Sequence, residues 1–304
     1  MPSAVTSAEP EWLPLAPRAG QRIEADAREA QLDEPRRLTE GLDVSELAWS
    51  PDARRLGFVA RRPGAPRASV ELVDLADGRR SSVSRPEEEA SSLCFLDEER
   101  VAFVASSGAK RFVVSSKLDG TERSTLELAD EPVALSPTSG PDALWLSVKR
   151  GEQHAIARGT RQGGALRVVV PASAGGAPSA SSARAAIAFI GGDGSLRVAS
   201  EEGRAERVLP RESHGRASHP AFDARGGYLY FASDRDALGG EIYRVDLDAE
   251  VWPPRAERLT FRQGSVAAPS PDDRWLAFAS RRSGPTVDLH LARLRETARS
   301  GVTR

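Results

Sequence analysis

A short apolar stretch centred on one large residue recurs six times along the chain. The six copies are Leu56-Gly57-Phe58-Val59, Val101-Ala102-Phe103-Val104, Leu144-Trp145-Leu146, Ile187-Ala188-Phe189-Ile190, Leu229-Tyr230-Phe231-Ala232 and Leu276-Ala277-Phe278-Ala279. Successive centres (Phe58, Phe103, Leu146, Phe189, Phe231, Phe278) lie about 42–47 residues apart, which is the period of a four-stranded propeller blade. A unit of that size cannot bury its apolar face alone and must stack on copies of itself. Six centres therefore predict an all-β, six-bladed β-propeller of four-stranded antiparallel blades.

The surrounding residues repeat the same strand grammar. In the first unit Leu47-Ala48-Trp49 precedes a Ser50-Pro51-Asp52 turn, then the centre strand, then Val70-Glu71-Leu72-Val73-Asp74-Leu75 and an Asp77-Gly78 turn. Proline presets φ for a turn and Asp bonds its own backbone, while Asp-Gly supplies the positive φ values of a tight hairpin. Related turns recur at Asp119-Gly120, Ser136-Pro137 and Ser270-Pro271-Asp272-Asp273. Their Asp residues read as turn caps rather than as a ring of carboxylates. The fourth unit is the weakest, because Pro171 to Ala183 is rich in Ala, Ser, Gly and Pro and reads as a long loop or a poorly formed inner strand.

The fifth unit ends with Glu257-Arg258-Leu259-Thr260, its outermost strand, and the sixth runs out after Leu289-His290-Leu291-Ala292-Arg293-Leu294 without one. Arg36-Arg37-Leu38-Thr39 stands before the first unit with no blade of its own. The expectation is that this N-terminal strand completes the last blade, which closes the ring and removes a sheet edge. The chain then divides into an extension or strap at 1–34, the propeller at 35–296 and a tail at 297–304. Gln21 to Leu32, with Ile23, Ala27, Ala30 and Leu32 on one side, is predicted to form a short helix.

A net charge of -2 argues against a nucleic-acid partner. All but three of the 42 basic residues are arginine, the lysines being Lys110, Lys117 and Lys149; Arg61-Arg62, Arg79-Arg80 and Arg281-Arg282 read as solvated loop charges. The single cysteine, Cys94, excludes an internal disulfide and lies between Leu93 and Phe95 as a small buried hydrophobe. No run reaches the apolar length of a transmembrane helix. Met1 to Pro10 shows no basic segment followed by an apolar one, so no export signal is expected in this sequence.

The units Leu47-Ala48-Trp49-Ser50-Pro51-Asp52-Ala53-Arg54-Arg55-Leu56 and Glu241-Ile242-Tyr243-Arg244-Val245-Asp246-Leu247-Asp248 resemble the PD40 repeat of TolB-like (WD40-like) propellers, as does Ser233-Asp234-Arg235-Asp236 ahead of Ile242-Tyr243. The resemblance spans roughly residues 35 to 296. It is specific in units one, five and six, and loose in two to four. It implies a six-bladed propeller closed by its N-terminal strand, without the separate α/β domain of TolB. It also implies a protein or peptide partner and a periplasmic or extracytoplasmic setting; without the resemblance the absence of a signal points to the cytoplasm. A lipobox cysteine is missing, so a lipid anchor does not carry over.

The chemistry in the sequence leans away from an enzyme. There is no Gly-x-Ser-x-Gly elbow and no α/β half to hold one, which leaves at most a detached partner of a separate catalytic subunit. Of the four histidines, His214 and His219 share the loop Glu212-Ser213-His214-Gly215-Arg216-Ala217-Ser218-His219-Pro220, which enters the fifth inner strand. That loop places His214, Arg216 and His219 at the channel mouth as candidates for binding a ligand or partner. With Glu212 and Asp223 as oxygen donors, His214 and His219 are also the candidate ligands of a metal-dependent lyase or lactonase. His290 reads as a strand-face residue, Trp49, Trp145 and Trp275 as packing between blades, and Trp12 and Trp252 as candidates for a contact surface, with bracing of a loop before Pro253-Pro254 as the alternative for Trp252. The expectation is a monomeric, non-catalytic binding propeller that needs no cofactor, with the metal-dependent enzyme as the alternative.

Overall fold

Apolar runs punctuated by tight turns fold as strands, and 25 strands occur among the residues the computed structural model describes: 17–126, 128–137, 143–173, 176, 178–204, 207–209 and 215–295. Among these residues there is no helix. The N-terminal segment supplies β1 (Gln21–Arg22) and β2 (Leu32–Arg37). Blade one is β3 (Asp43–Trp49), β4 (Arg55–Arg61), β5 (Ser69–Asp74) and β6 (Arg80–Ser82). Blade two is β7 (Glu89–Phe95), β8 (Arg100–Ser107), β9 (Lys110–Lys117) and β10 (Ser124–Leu126). Blade three is β11 (Glu131–Pro137), β12 (Ala143–Arg150), β13 (Gln153–Thr160) and β14 (Arg167–Ser173). Blade four is β15 (Ser179–Ser181), β16 (Ala186–Ile190), β17 (Leu196–Ser200) and β18 (Arg207–Leu209). Blade five is β19 (Ala217–Phe222), β20 (Tyr228–Ser233), β21 (Glu241–Asp246) and β22 (Glu257–Arg258), and blade six opens with β23 (Val266–Pro269), β24 (Trp275–Ser280) and β25 (Asp288–Leu294). Neighbouring strands within every blade are antiparallel, and the inner strands β3, β7, β11, β15, β19 and β23 pack in sequence until β23 returns to β3.

The six repeat centres all lie on the second strand of a blade and are 2% exposed or less. Both faces of that strand are covered by neighbouring blades, so it reads as a continuous apolar run rather than an alternation, as in the fully buried β24. Six apolar clusters fill the six seams. Trp49 and Trp275 share the seam between blades six and one, and Trp145 packs with Ile187 and Phe189 between blades three and four. Blade four has all four strands, with an inner strand of only three residues. Pro171 to Ser173, which the sequence placed in a loop or inner strand, end the outer strand of blade three instead.

The Ser-Pro-Asp turns are capped from within. The Ser50 Oγ accepts from the Arg55 N–H at 2.9 Å, and the Asp52 Oδ1 accepts from the Arg54 N–H at 3.1 Å. Ser270 and Asp272 repeat both bonds to Trp275 and Arg274. Ala53 and Asp273, at the same place in the two turns, share a left-handed φ of 56° and 57°.

The ring closes as expected: β2 pairs antiparallel with β25, placing Leu32 opposite Leu294 and Arg37 opposite His290. What holds it is a buried carboxylate. Asp288 accepts from the Arg37 guanidinium at 2.8 Å, from the Thr39 hydroxyl at 3.1 Å and from the Leu42 N–H at 3.2 Å. The Thr39 Oγ1 in turn accepts from the Leu289 N–H. Blade five contains the same device, with Glu241 receiving Arg258, Thr260 and the Gln263 N–H, and Thr260 receiving the Ile242 N–H. Arg-Leu-Thr is thus the recurring signature of an outer strand docked on a buried acid. Burial alone would raise the pKa of Asp288, but Arg37, the Leu42 amide, Thr286 and Thr39 outweigh it and hold the pKa below the usual carboxylate value.

The helix predicted for Gln21 to Leu32 does not form. Gln21 and Arg22 instead add a fifth strand to blade six by pairing with Arg37 and Arg36, and the Ile23 N–H bonds the Pro35 carbonyl. An isolated helix of a dozen residues is marginal in water. Here Asp26 ties back to Arg28 and Arg262, and Glu29 is buried on Arg282 and the Phe261 N–H. These tertiary contacts outcompete the helix. Removing residues through Thr39 takes away the closing strand and both anchors, so the melting temperature should fall sharply; an unchanged value would refute the latch.

His290, beside the latch, is fully buried and stacked on Phe278 with ring centroids 5.6 Å apart. Its Nδ1–H donates to the Asp288 carbonyl and its Nε2 lies 3.0 Å from the Ser283 hydroxyl. Burial, reinforced by the Arg282 charge, lowers its pKa from 6.5 to about 4. Since the folded-state value lies below the unfolded one, the stabilisation is complete above pH 6.5 and is lost as pH falls toward 4, on the order of 3 kcal/mol in all. Chemical denaturation should show the stability gap between wild type and His290→Asn narrowing over that interval.

Candidate functional site

The inner strands line a central channel with a cavity volume of ≈ 180 Å³, walled by residues such as Ala48, Leu93, Cys94, Leu135, Ala180 and Ala267. Three of these strands carry a bulge near their start, between Val44 and Glu46, Ala90 and Ser92, and Pro132 and Ala134. Bulges re-aim side chains and are common at functional rims. In β19 the irregularity spans Ser218 to Ala221 and leaves His219 and Pro220 out of register. His219 sits there with φ at 50°, an uncommon conformation for a residue with a side chain.

The ring of His219 reaches across to blade one. Its Nε2 lies 3.4 Å from the Glu46 carboxylate and its Nδ1 3.0 Å from the Ser218 hydroxyl. Burial in the channel is the largest single influence on this imidazole and lowers its pKa. The Glu46 charge and hydrogen bond, with the Ser265 backbone, outweigh it, and the net shift is upward. The His219–Glu46 pair therefore bridges blades one and five, at the end of the channel where the inner strands begin, and is an ion pair whenever the imidazole is protonated.

Arg216 is exposed on the rim of that same end. Its N–H donates to the Asp234 carboxylate at 2.9 Å, which ties the loop before β19 to the one between β20 and β21. Gly215 makes this approach feasible: its φ is 69°, and a Cβ there would meet the Arg235 backbone at 2.9 Å. His214, Glu212 and Trp12 lie outside the described residues. Asp223 does not join His219. It lies just past the end of β19, and its carboxylate caps the turn there by accepting from the Tyr228 N–H. Glu46 was not anticipated from sequence; its signal was a charged residue within an inner strand of otherwise small and apolar channel positions. Among the described residues no three His, Cys, Asp or Glu side chains converge.

Two further expectations need correction. Trp252 braces a seam, donating its Nε1–H to the Val208 carbonyl and packing with the cluster between blades four and five. Of the arginines at strand ends, Arg79 and Arg281 are exposed as expected, but the other four are paired. Arg80 and Arg62 both bond the buried Glu71, Arg61 bonds Glu89, and Arg282 is itself buried on Glu29.

A folded-state pKa above 6.5 means that the His219–Glu46 bridge stabilises the protein fully below that pH and is lost as pH rises through the folded value. An NMR titration should place the His219 pKa above 6.5 in the wild type and lower it in Glu46→Gln. A pKa unmoved by the substitution would rule the bridge out.

No family model matches the sequence, and no curated protein matches it. Solved structures do match the fold. A gluconolactonase from Xanthomonas campestris is 17% identical with a TM-score of 0.65, over 93% of this chain and 98% of that one. An oligogalacturonate lyase from Vibrio parahaemolyticus is 14% identical with a TM-score of 0.56, over 91% and 99%. A candidate TolB from Agrobacterium tumefaciens is 19% identical with a TM-score of 0.52, over 66% and 73%. At these identities the likeness shows the fold alone: this chain is a six-bladed β-propeller scaffold, similar in architecture to enzymes and to a TolB candidate alike.

Proposed function

We propose that this propeller is a non-catalytic, TolB-like binding protein that engages a protein or peptide partner on the face around its channel mouth, with His214, Arg216 and His219 at the contact. The observation that carries this reading is the state of the channel. Small-molecule sites occupy about 300–1,000 Å³, whereas this cavity holds ≈ 180 Å³ and its His219 and Glu46 are engaged with each other. Contacts to a ligand therefore fall on the rim and the flat face, where Arg216 is presented on a loop fixed by Asp234. The PD40-like repeats and the TolB candidate among the structural neighbours support the TolB-like assignment. An extracytoplasmic, monomeric protein without a nucleic-acid partner completes the proposal; the near-zero net charge supports the last point.

Of the donors in the metal-dependent lyase or lactonase reading, His219 and Asp223 are described and do not meet, and the structure instead places Glu46 beside His219. Two measurements decide between the readings. Capture of a defined partner from the native host should be lost with Arg216→Ala or His219→Gln while the fold is retained. A stoichiometric transition metal in the purified protein, abolished by His219→Ala or His214→Ala, would overturn the binding reading.

A further inference from the structure

On the face where the inner strands begin, the seam between blades one and two holds a pocket of ≈ 320 Å³, larger than the channel itself. Its walls are Ala65, Pro66, Ala68 and Pro86, with the hydroxyls of Ser69, Ser82 and Ser84 between them. Two buried carboxylates form its floor, and both are occupied. Glu71 accepts from Arg62 at 3.1 Å and from Arg80, and Glu88 accepts from Arg123 and from the Arg85 N–H. Arg67 and Arg85 also line the pocket, and among the described residues neither guanidinium has a carboxylate partner.

Three guanidiniums thus already pair the two carboxylates, and two more line the same pocket. Glu89 is taken by Arg61 and the Ala68 N–H, and Glu87, the remaining acid of this loop, is exposed. The rim is also held in place. Arg61 donates to the Pro66 carbonyl at 2.9 Å and the Ala65 N–H bonds the Arg62 carbonyl, so the loop carrying Arg67 is clamped before any ligand arrives. A rigid, apolar-walled pocket with surplus guanidinium charge suits a carboxylate on an apolar stem, since arginine pairs with carboxylates through a planar fork and pre-organisation lowers the cost of binding.

We propose that this pocket is a second contact site for the peptide partner and receives an acidic side chain flanked by apolar residues. The proposal rests on the binding reading above, because the pocket opens on the same face as the channel mouth. Isothermal titration with a capped Glu-Leu-Glu-Leu peptide and its Gln-Leu-Gln-Leu counterpart tests it. The acidic peptide should bind at least about tenfold more tightly, weaken with salt, and lose about tenfold in affinity to an Arg67→Ala/Arg85→Ala variant of unchanged melting temperature. Equal affinity for both peptides, no binding of the acidic one, or an unaffected double variant would overturn the assignment. Inorganic phosphate binding the same arginines as tightly as the acidic peptide would also overturn it, in favour of a free oxyanion. Native-partner capture that survives the double variant sinks this pocket alone, whereas capture that survives Arg216→Ala and His219→Gln sinks the channel-mouth reading.

Discussion

The ring depends on one buried carboxylate, Asp288, and on the Arg-Leu-Thr strand that comes from the opposite end of the chain to satisfy it. Blade five builds the same contact between Glu241 and Thr260, 19 residues apart, whereas the latch joins Asp288 to Thr39 across 249. Closing the longer loop costs only about 2 kcal/mol more, because the entropy grows with the logarithm of length. A hydrogen bond to a charged group contributes about 1.5–3 kcal/mol, so the Arg37 and Thr39 bonds to Asp288 are sufficient to offset the difference. Repeating a local device at long range closes the propeller without any new kind of contact. The same economy explains why β1 can add a fifth strand: once β2 is docked, the Gln21 and Arg22 pairing is local again.

Arginine is the second structural currency of the fold. Arg80 lies over Phe58, Arg123 over Phe103, Arg158 over Trp145 and Arg282 over Phe278, with guanidinium-to-centroid distances between 4.6 and 6.0 Å. In blades one, two and six the stacked arginine also bonds a buried glutamate. A planar guanidinium can do both at once, which a compact lysine ammonium cannot. The scarcity of lysine therefore has a structural counterpart, whatever its origin in composition.

The architecture was legible because its signals are periodic. Phe58 and its five counterparts set the blade count, and Arg37-Leu38-Thr39 announced the closure by matching Arg258-Leu259-Thr260. The site was legible only in part. His219 was found through its loop, but Glu46 is 173 residues away and meets it only because a closed ring brings blades one and five to the same channel. No local pattern encodes that distance. The failed helix at Gln21 to Leu32 has a related cause: its amphipathic spacing was real, yet Asp26, Glu29 and Leu32 are used by partners in blades five and six that the segment itself does not reveal.

A propeller of this kind can serve as a lactonase, a lyase or an adaptor, so the scaffold does not choose among functions. The choice falls to what stands at the channel and on the face around it. At the channel mouth of this protein the imidazole of His219 and the carboxylate of Glu46 face each other across the bore. Exposed guanidiniums stand on the face around it, Arg216 on one side and Arg67 and Arg85 on the other. Under the binding reading proposed above, charges spread over a face and separated by apolar walls would be engaged together by one extended partner, because each contact is weak alone and gains strength only when one ligand spans several of them.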